Sequence, residues 1–93
     1  MIVGILQLAL RFPEVHSLKE KRWILKSFLT QTRNKFNVSI SEIDHHDLWQ
    51  RATVAAAYVG NDRAFANELL DQLLNFSREV KQLEVTDSQL EFL

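Results

Sequence analysis

The residues able to do chemistry gather in three places. The first is the run Asp44-His45-His46-Asp47. Imidazole and carboxylate are ligands for Zn²⁺, Ni²⁺ or Mn²⁺. Adjacent side chains of a strand or tight turn point apart, however, so these four do not converge on one ion. A metal site would need a ligand from elsewhere, and His16 is the only other histidine. The same run also reads as turn chemistry, with aspartate oxygens accepting backbone N–H bonds at a chain reversal. No metal is assigned on this pattern. No catalytic residue or cofactor is assigned either: the chain lacks Cys, a G-x-S-x-G elbow, a phosphate-cradling glycine loop and an H-E-x-x-H helix. His16 beside Ser17 is explained by helix capping.

The second place is the basic run from Lys19 to Lys35. Wound as a helix, Lys19, Arg22, Lys26 and Arg33 fall on one flank, with Lys21 and Lys35 nearby and Trp23 beside them. Cations in a stripe next to an aromatic are suited to following a phosphate backbone. A solvated helix face has the same composition. The third place is the end of the histidine run, where Trp49 and Arg51 follow His45 and Asp47. Trp and Arg dominate interface hot spots, and Trp49 could equally close over the edge of a sheet. Gln50 between them is assigned nothing.

The elements that must position these groups follow from periodicity. Ile2 to Phe12 alternates as a strand, with Ile2, Leu6, Leu8, Leu10 and Phe12 on one side and Val3, Ile5, Gln7, Ala9 and Arg11 on the other. Pro13 ends it. Ser17 is the N-cap of a helix, and Glu20 three residues on completes a capping box. The 3.6-residue period places Leu18, Leu25, Phe28, Leu29, Thr32 and Phe36 on its apolar face. Val38 to Ile43 is a second strand, and the D-H-H-D turn leads to a third from Arg51 to Val59. Gly60 with Asn61 or Asp62 supplies a turn and a cap for a second helix running to about Val80. Its predicted inner face is Phe65, Ala66, Leu69, Leu73, Phe76 and Val80. Leu83, Val85, Leu90 and Phe92 form a last strand, with a break near Asp87. With right-handed crossovers, the order βαββαβ gives a ferredoxin-like α+β domain over residues 1–93: a four-stranded antiparallel sheet with two helices on one face.

That arrangement leaves the opposite face open. Val3, Ile5, Gln7, Ala9 and Arg11 would show there, with Arg51, Thr53, Ala55, Ala57 and Val59, then Ser39, Ser41 and Ile43. None is aromatic, which disfavours base stacking on the sheet. A small-residue, moderately apolar surface fits self-association or a protein partner.

Composition bounds the rest. Ninety-three residues with 46% hydrophobic content suffice for one core. The absence of cysteine excludes disulfides, thiolate chemistry and cysteine-ligated zinc. The apolar N-terminal run is interrupted by Gln7 and lacks a basic leader, and no segment reaches the ~20 apolar residues of a membrane span. A soluble, cytoplasmic protein without membrane contact is expected. Net charge is −1, so DNA is not an expected partner. The average hides a split. Residues 1–35 carry seven Lys and Arg against two Glu, and residues 36–93 carry four against ten acids. One half presents a basic face to a partner, or the two halves pair with each other.

The motifs H-S-L-K-E-K-R (His16 to Arg22) and F-N-V-S-I-S-E-I-D-H-H-D-L-W-Q-R (Phe36 to Arg51) resemble the small bacterial YlxP-like family of unknown function, over nearly the whole chain. Members tend to show D-H-Q-D-L-W-Q-R-A, so His46 stands where glutamine is usual, which tells against a ligand role needing both histidines. The resemblance implies the same ferredoxin-like fold. It also implies a setting, since YlxP-like genes commonly lie beside those for transcription elongation, initiation factor two and ribosome-binding factor A. The expected function is a non-enzymatic interaction module whose partner is ribosomal RNA or a ribonucleoprotein, in translation or ribosome maturation. Lys19, Arg22, Trp23, Lys26 and Arg33 would contact it, with His45, Asp47, Trp49 and Arg51 from the hairpin. The alternative is a homo-oligomeric small-ligand or regulatory domain using the open sheet face.

Overall fold

The computed structural model describes residues 1–93. Six elements follow in the order β1 (Ile2–Arg11), α1 (Leu18–Lys35), β2 (Ser39–Asp44), β3 (Arg51–Gly60), α2 (Arg63–Glu79) and β4 (Glu84–Phe92). The strands form one sheet in the order β2-β3-β1-β4 with every neighbouring pair antiparallel. Leu6, Leu8 and Leu10 of β1 point into a single cluster with Ile24, Leu25 and Phe28 of α1 and Leu70 and Leu73 of α2. Both helices therefore cover the same face, and the ferredoxin-like architecture expected from element order is the one observed. Each fully buried Leu or Phe contributes about 1.5–3 kcal/mol, so this shared layer dominates stability. No helix is long and apolar enough to cross a membrane.

Local chemistry sets the helix ends. Ser17 sits in extended backbone and its Oγ accepts from the Glu20 N–H at 3.1 Å. Asp62 caps α2 in the same way, accepting from the Phe65 N–H at 3.2 Å. Inside the core, Thr32 Oγ1 and Ser77 Oγ donate to Phe28 O and Leu73 O on their own helices. No buried side-chain polar atom lacks a partner. Gly4 is where α2 crosses β1: a Cβ there would lie 2.8 Å from Leu70 Cδ1.

Both helices are rotated relative to the predicted faces. In α1 the buried line is Lys21, Ile24, Leu25, Phe28 and Thr32, not one centred on Leu18 and Leu29. The face has turned toward Ile24 by roughly half of the 100° step between residues. In α2, Leu70 and Ser77 join Ala66 and Leu73 inside, while Phe65 is half exposed against the Tyr58 ring. Phe76 keeps its expected place. It lies between Phe28 and Phe36, with ring centroids 6.3 and 5.8 Å away, and so joins the two helices.

Two bulges aim side chains. Ile43 is the extra residue where β2 slips against β3 between Glu42 and Asp44. Thr86 is the extra residue opposite Ala9 and Leu10, so the break expected near Asp87 is a bulge within a continuous β4.

Candidate functional site

The buried line of α1 contains a lysine. Lys21 is wholly inaccessible, and its Nζ donates to Glu42 Oε2 at 2.7 Å, His45 O at 2.9 Å and His46 O at 3.5 Å. An ammonium has three N–H donors, and here each has an acceptor. Lys21 is removed from water entirely and Glu42 largely, a cost of several kcal/mol for a buried ion that only close contact with full hydrogen bonding offsets. Glu42 reaches inward because it pairs with Val54 on the helix side of the sheet, one residue before the bulge. Lys21 thus does not belong to the exposed basic stripe. It ties α1 to the histidine turn, making one unit of the two sequence motifs.

The turn itself is built from its own polar groups. His45 has a φ of 64°, a left-handed conformation that costs an L-residue about 1–2 kcal/mol. Asp44 Oδ1 accepts the His45 N–H at 2.7 Å, and His45 Nδ1 shares a 2.9 Å hydrogen bond with Thr53 Oγ1. His46 Nε2 lies 3.2 Å from Glu42 O. The two imidazoles are committed to separate partners, as turn chemistry requires. Gln50 holds the far side: its Nε2 donates to Val15 O at 3.2 Å and its carbonyl accepts from the Phe12 N–H at 2.9 Å. This role was invisible in sequence, because both partners are backbone groups. Asp47, Leu48 and Trp49 are exposed. Trp49 lies outside the core cluster and does not close it.

On the outer side of α1, Lys19, Arg22, Trp23 and Lys26 line a shallow depression of about 510 Å³ together with Ser17 and Glu20. The spacings 19–22, 22–26, 19–23 and 23–26 make these side chains neighbours on the helix surface. Trp23 is 69% exposed. No carboxylate lies within 4.0 Å of Lys19, Arg22 or Lys26. Arg33 shares their angular position two turns on but leaves the stripe. Its Nη2 donates to Ile40 O at 2.8 Å, covering a carbonyl of the edge strand β2. Lys35 also turns aside, its Nζ 5.1 Å from the Phe76 ring centroid.

The sheet face away from the helices is uncovered. Val3 and Val59, Ile5 and Ala57, Gln7 and Ala55, Ala9 and Thr53, and Arg11 and Arg51 are opposite each other in register there. On β4 the same face shows Glu84, Asp87, Gln89 and Glu91. Arg51 therefore stands beside Arg11 on the sheet and not with Lys19, Arg22 and Lys26 on α1.

A family model described as "Protein of unknown function (DUF503)" matches residues 3–90. The curated "Uncharacterized protein YlxP" of Bacillus subtilis (strain 168) is 43% identical over 76 residues, 82% of this chain and 83% of that protein. Among solved structures, a mutant of SnoaB, a cofactor-independent oxygenase from Streptomyces nogalater, superposes with a TM-score of 0.50. The match covers 99% of this chain and 90% of that one at 10% identity, a likeness of fold alone.

Proposed function

Given that this chain belongs to the DUF503 family, to which no activity is attached, we propose from its own surface that it is a non-enzymatic module holding single-stranded segments of RNA, in the setting of translation or ribosome maturation. One observation carries this reading. Trp23 projects from α1 in the middle of three cations, Lys19, Arg22 and Lys26, that have no acidic partner. Phosphates suit the cations, and an unstacked base suits the indole face, where stacking contributes about 1–3 kcal/mol per base. The open sheet face, with no aromatic residue, is unsuited to that task. The reach of the stripe is short, since Arg33 and Lys35 are engaged elsewhere. Contact with a few nucleotides is the consequence.

The test is an anisotropy titration with a labelled single-stranded oligoribonucleotide. The wild type should bind at low salt. A Lys19→Ala/Arg22→Ala/Lys26→Ala variant should bind weakly, with its log K against log salt slope flattened by about 2, at ~0.7 per phosphate contact. Failure of the wild type to bind at low salt removes the proposal.

A second contact surface is supported by the uncovered row Val3, Ile5, Ala55, Ala57 and Val59. Adjacent apolar side chains on a sheet face favour pairing with a second copy of the chain. Val59, 61% exposed, is the residue to change. Sedimentation velocity should show a dimer that Val59→Glu converts to monomer, and a monomeric wild type would end this reading.

A further inference from the structure

At one end of the open face the sheet carries a feature that folding does not require. Arg11 and Arg51 are direct cross-strand partners in the β1–β3 ladder. Like charges directly opposite each other destabilise a sheet pair. Arg11 has only a long, exposed contact with Glu84 at 3.6 Å, and no carboxylate lies within 4.0 Å of Arg51. Neither guanidinium has a hydrogen-bond partner in the protein that would explain its position. The two arginines border a hollow of about 210 Å³, whose other walls include His45, Thr53, Thr86 and Ala9.

The rest of the hollow offers further donors. His45 Nδ1 and Thr53 Oγ1 are 2.9 Å apart and share one proton between them. If the ring nitrogen donates, the Thr53 hydroxyl hydrogen is free. If the hydroxyl donates, the ring carries its proton on Nε2, which has no protein partner. In either tautomer one donor remains for an occupant. Thr86 is different, because its hydroxyl already donates to Ala9 O at 3.2 Å. Two guanidinium forks and a further donor are matched to an oxyanion with three or more acceptor atoms.

The surroundings limit what can bring that oxyanion. Asp44, Asp87 and Glu84 flank the hollow on the open face, the two aspartates holding their neighbours' backbone N–H groups at 2.7 and 2.9 Å. A polyanion lying across the sheet would meet these carboxylates, whereas a single anionic group can sit between the arginines of β1 and β3, with Glu84 on β4 beyond Arg11. The volume is also below the ~300 Å³ at which pockets for larger ligands begin.

We propose that the Arg11–Arg51 hollow is a binding site for a single terminal phosphoryl group, carried by a small phosphorylated molecule or by the end of an RNA chain. It lies on the opposite side of the sheet from the α1 stripe and does not depend on RNA binding there. A dianion placed between the two guanidinium groups offsets the cross-strand repulsion of Arg11 and Arg51.

The experiment is a thermal-denaturation and NMR titration of the full chain with inorganic phosphate at constant ionic strength. Phosphate should raise the wild-type melting temperature and shift the side-chain signals of Arg11, Arg51 and His45. Arg51→Gln should melt higher than wild type without phosphate, having lost the repulsion, and should gain nothing from its addition. Arg51→Lys keeps the charge without the fork, and should retain the low starting temperature with a reduced gain. A second arm compares one oligoribonucleotide with and without a 5′-phosphate. A shift at Arg51 with the phosphorylated form alone assigns the site to RNA ends. No shift with either form, beside a response to phosphate, assigns it to small molecules. No response to phosphate, an equal response in Arg51→Gln, or a shift at Arg51 with the unphosphorylated chain would overturn the proposal.

Discussion

Lys21 and its neighbours Lys19, Arg22 and Lys26 share two turns of one helix and meet opposite fates. Lys21 is sealed against Glu42 and two carbonyls of the histidine turn. The other three stand in solvent around Trp23 without an acidic partner. A count of charges treats the four alike. What separates them is angle: Lys21 shares the line of Leu25, Phe28 and Thr32, and its neighbours face away from it. The inner cation is spent on architecture. The outer ones have no acidic partner within the chain.

The largest expected effect breaks the inner half of that contrast. Lys21→Ala leaves the largely buried Glu42 without its ammonium partner, with only the exposed His46 ring 3.9 Å away, and should lower the unfolding free energy by about 3 kcal/mol in urea titration. A domain of this size has about 5–14 kcal/mol of stability, so the variant should lose a large share of it. The double change Lys21→Met/Glu42→Leu removes both charges together and should recover most of the loss. A cost below ~1 kcal/mol for Lys21→Ala would mean that the tether is not structural.

His45 and His46 give the next contrast, within the turn that Lys21 holds. His45→Ala gives up the Thr53 hydrogen bond at a left-handed position and should cost about 1–2 kcal/mol. His46 is exposed, and His46→Ala should stay within ~0.5 kcal/mol. Equal costs would show that the turn does not depend on the His45 side chain. On the outer half of α1, Lys19→Ala, Arg22→Ala and Lys26→Ala should each change stability by less than ~0.5 kcal/mol. A larger loss from any of them would assign that residue a structural partner and weaken the contrast.

Much of this molecule was legible before its coordinates. The alternation in β1 fixed which of its residues face the helices, and Ser17 and Glu20 marked the start of α1. Element order led to the sheet and to a shared helix layer. The flank of Lys19, Arg22 and Lys26 beside Trp23 also emerged from angular position alone. The rest depended on tertiary register. The burial of Lys21 requires Glu42 to point inward, which the bulge at Ile43 and the β2–β3 pairing decide together. The line of Lys21, Leu25, Phe28 and Thr32 did carry a hint of it, since it has the spacing of a core stripe. Arg33 has the angle of the phosphate-facing stripe, but a backbone carbonyl of β2 captures it. A backbone acceptor has no signature in side-chain types, and the same holds for Gln50 on Val15 O. Arg11 and Arg51 become a pair only once the strand register is known.

The claim with most resting on it is that the outer face of α1 meets RNA with Trp23 at its centre. A Trp49→Phe variant leaves Trp23 as the sole tryptophan, since the chain has two. Its fluorescence can then be followed during titration with single-stranded RNA at increasing salt. Quenching is expected at low salt, with log K falling against log salt at a slope of about −2 for three cations. An unchanged Trp23 signal, or quenching indifferent to salt, would contradict it.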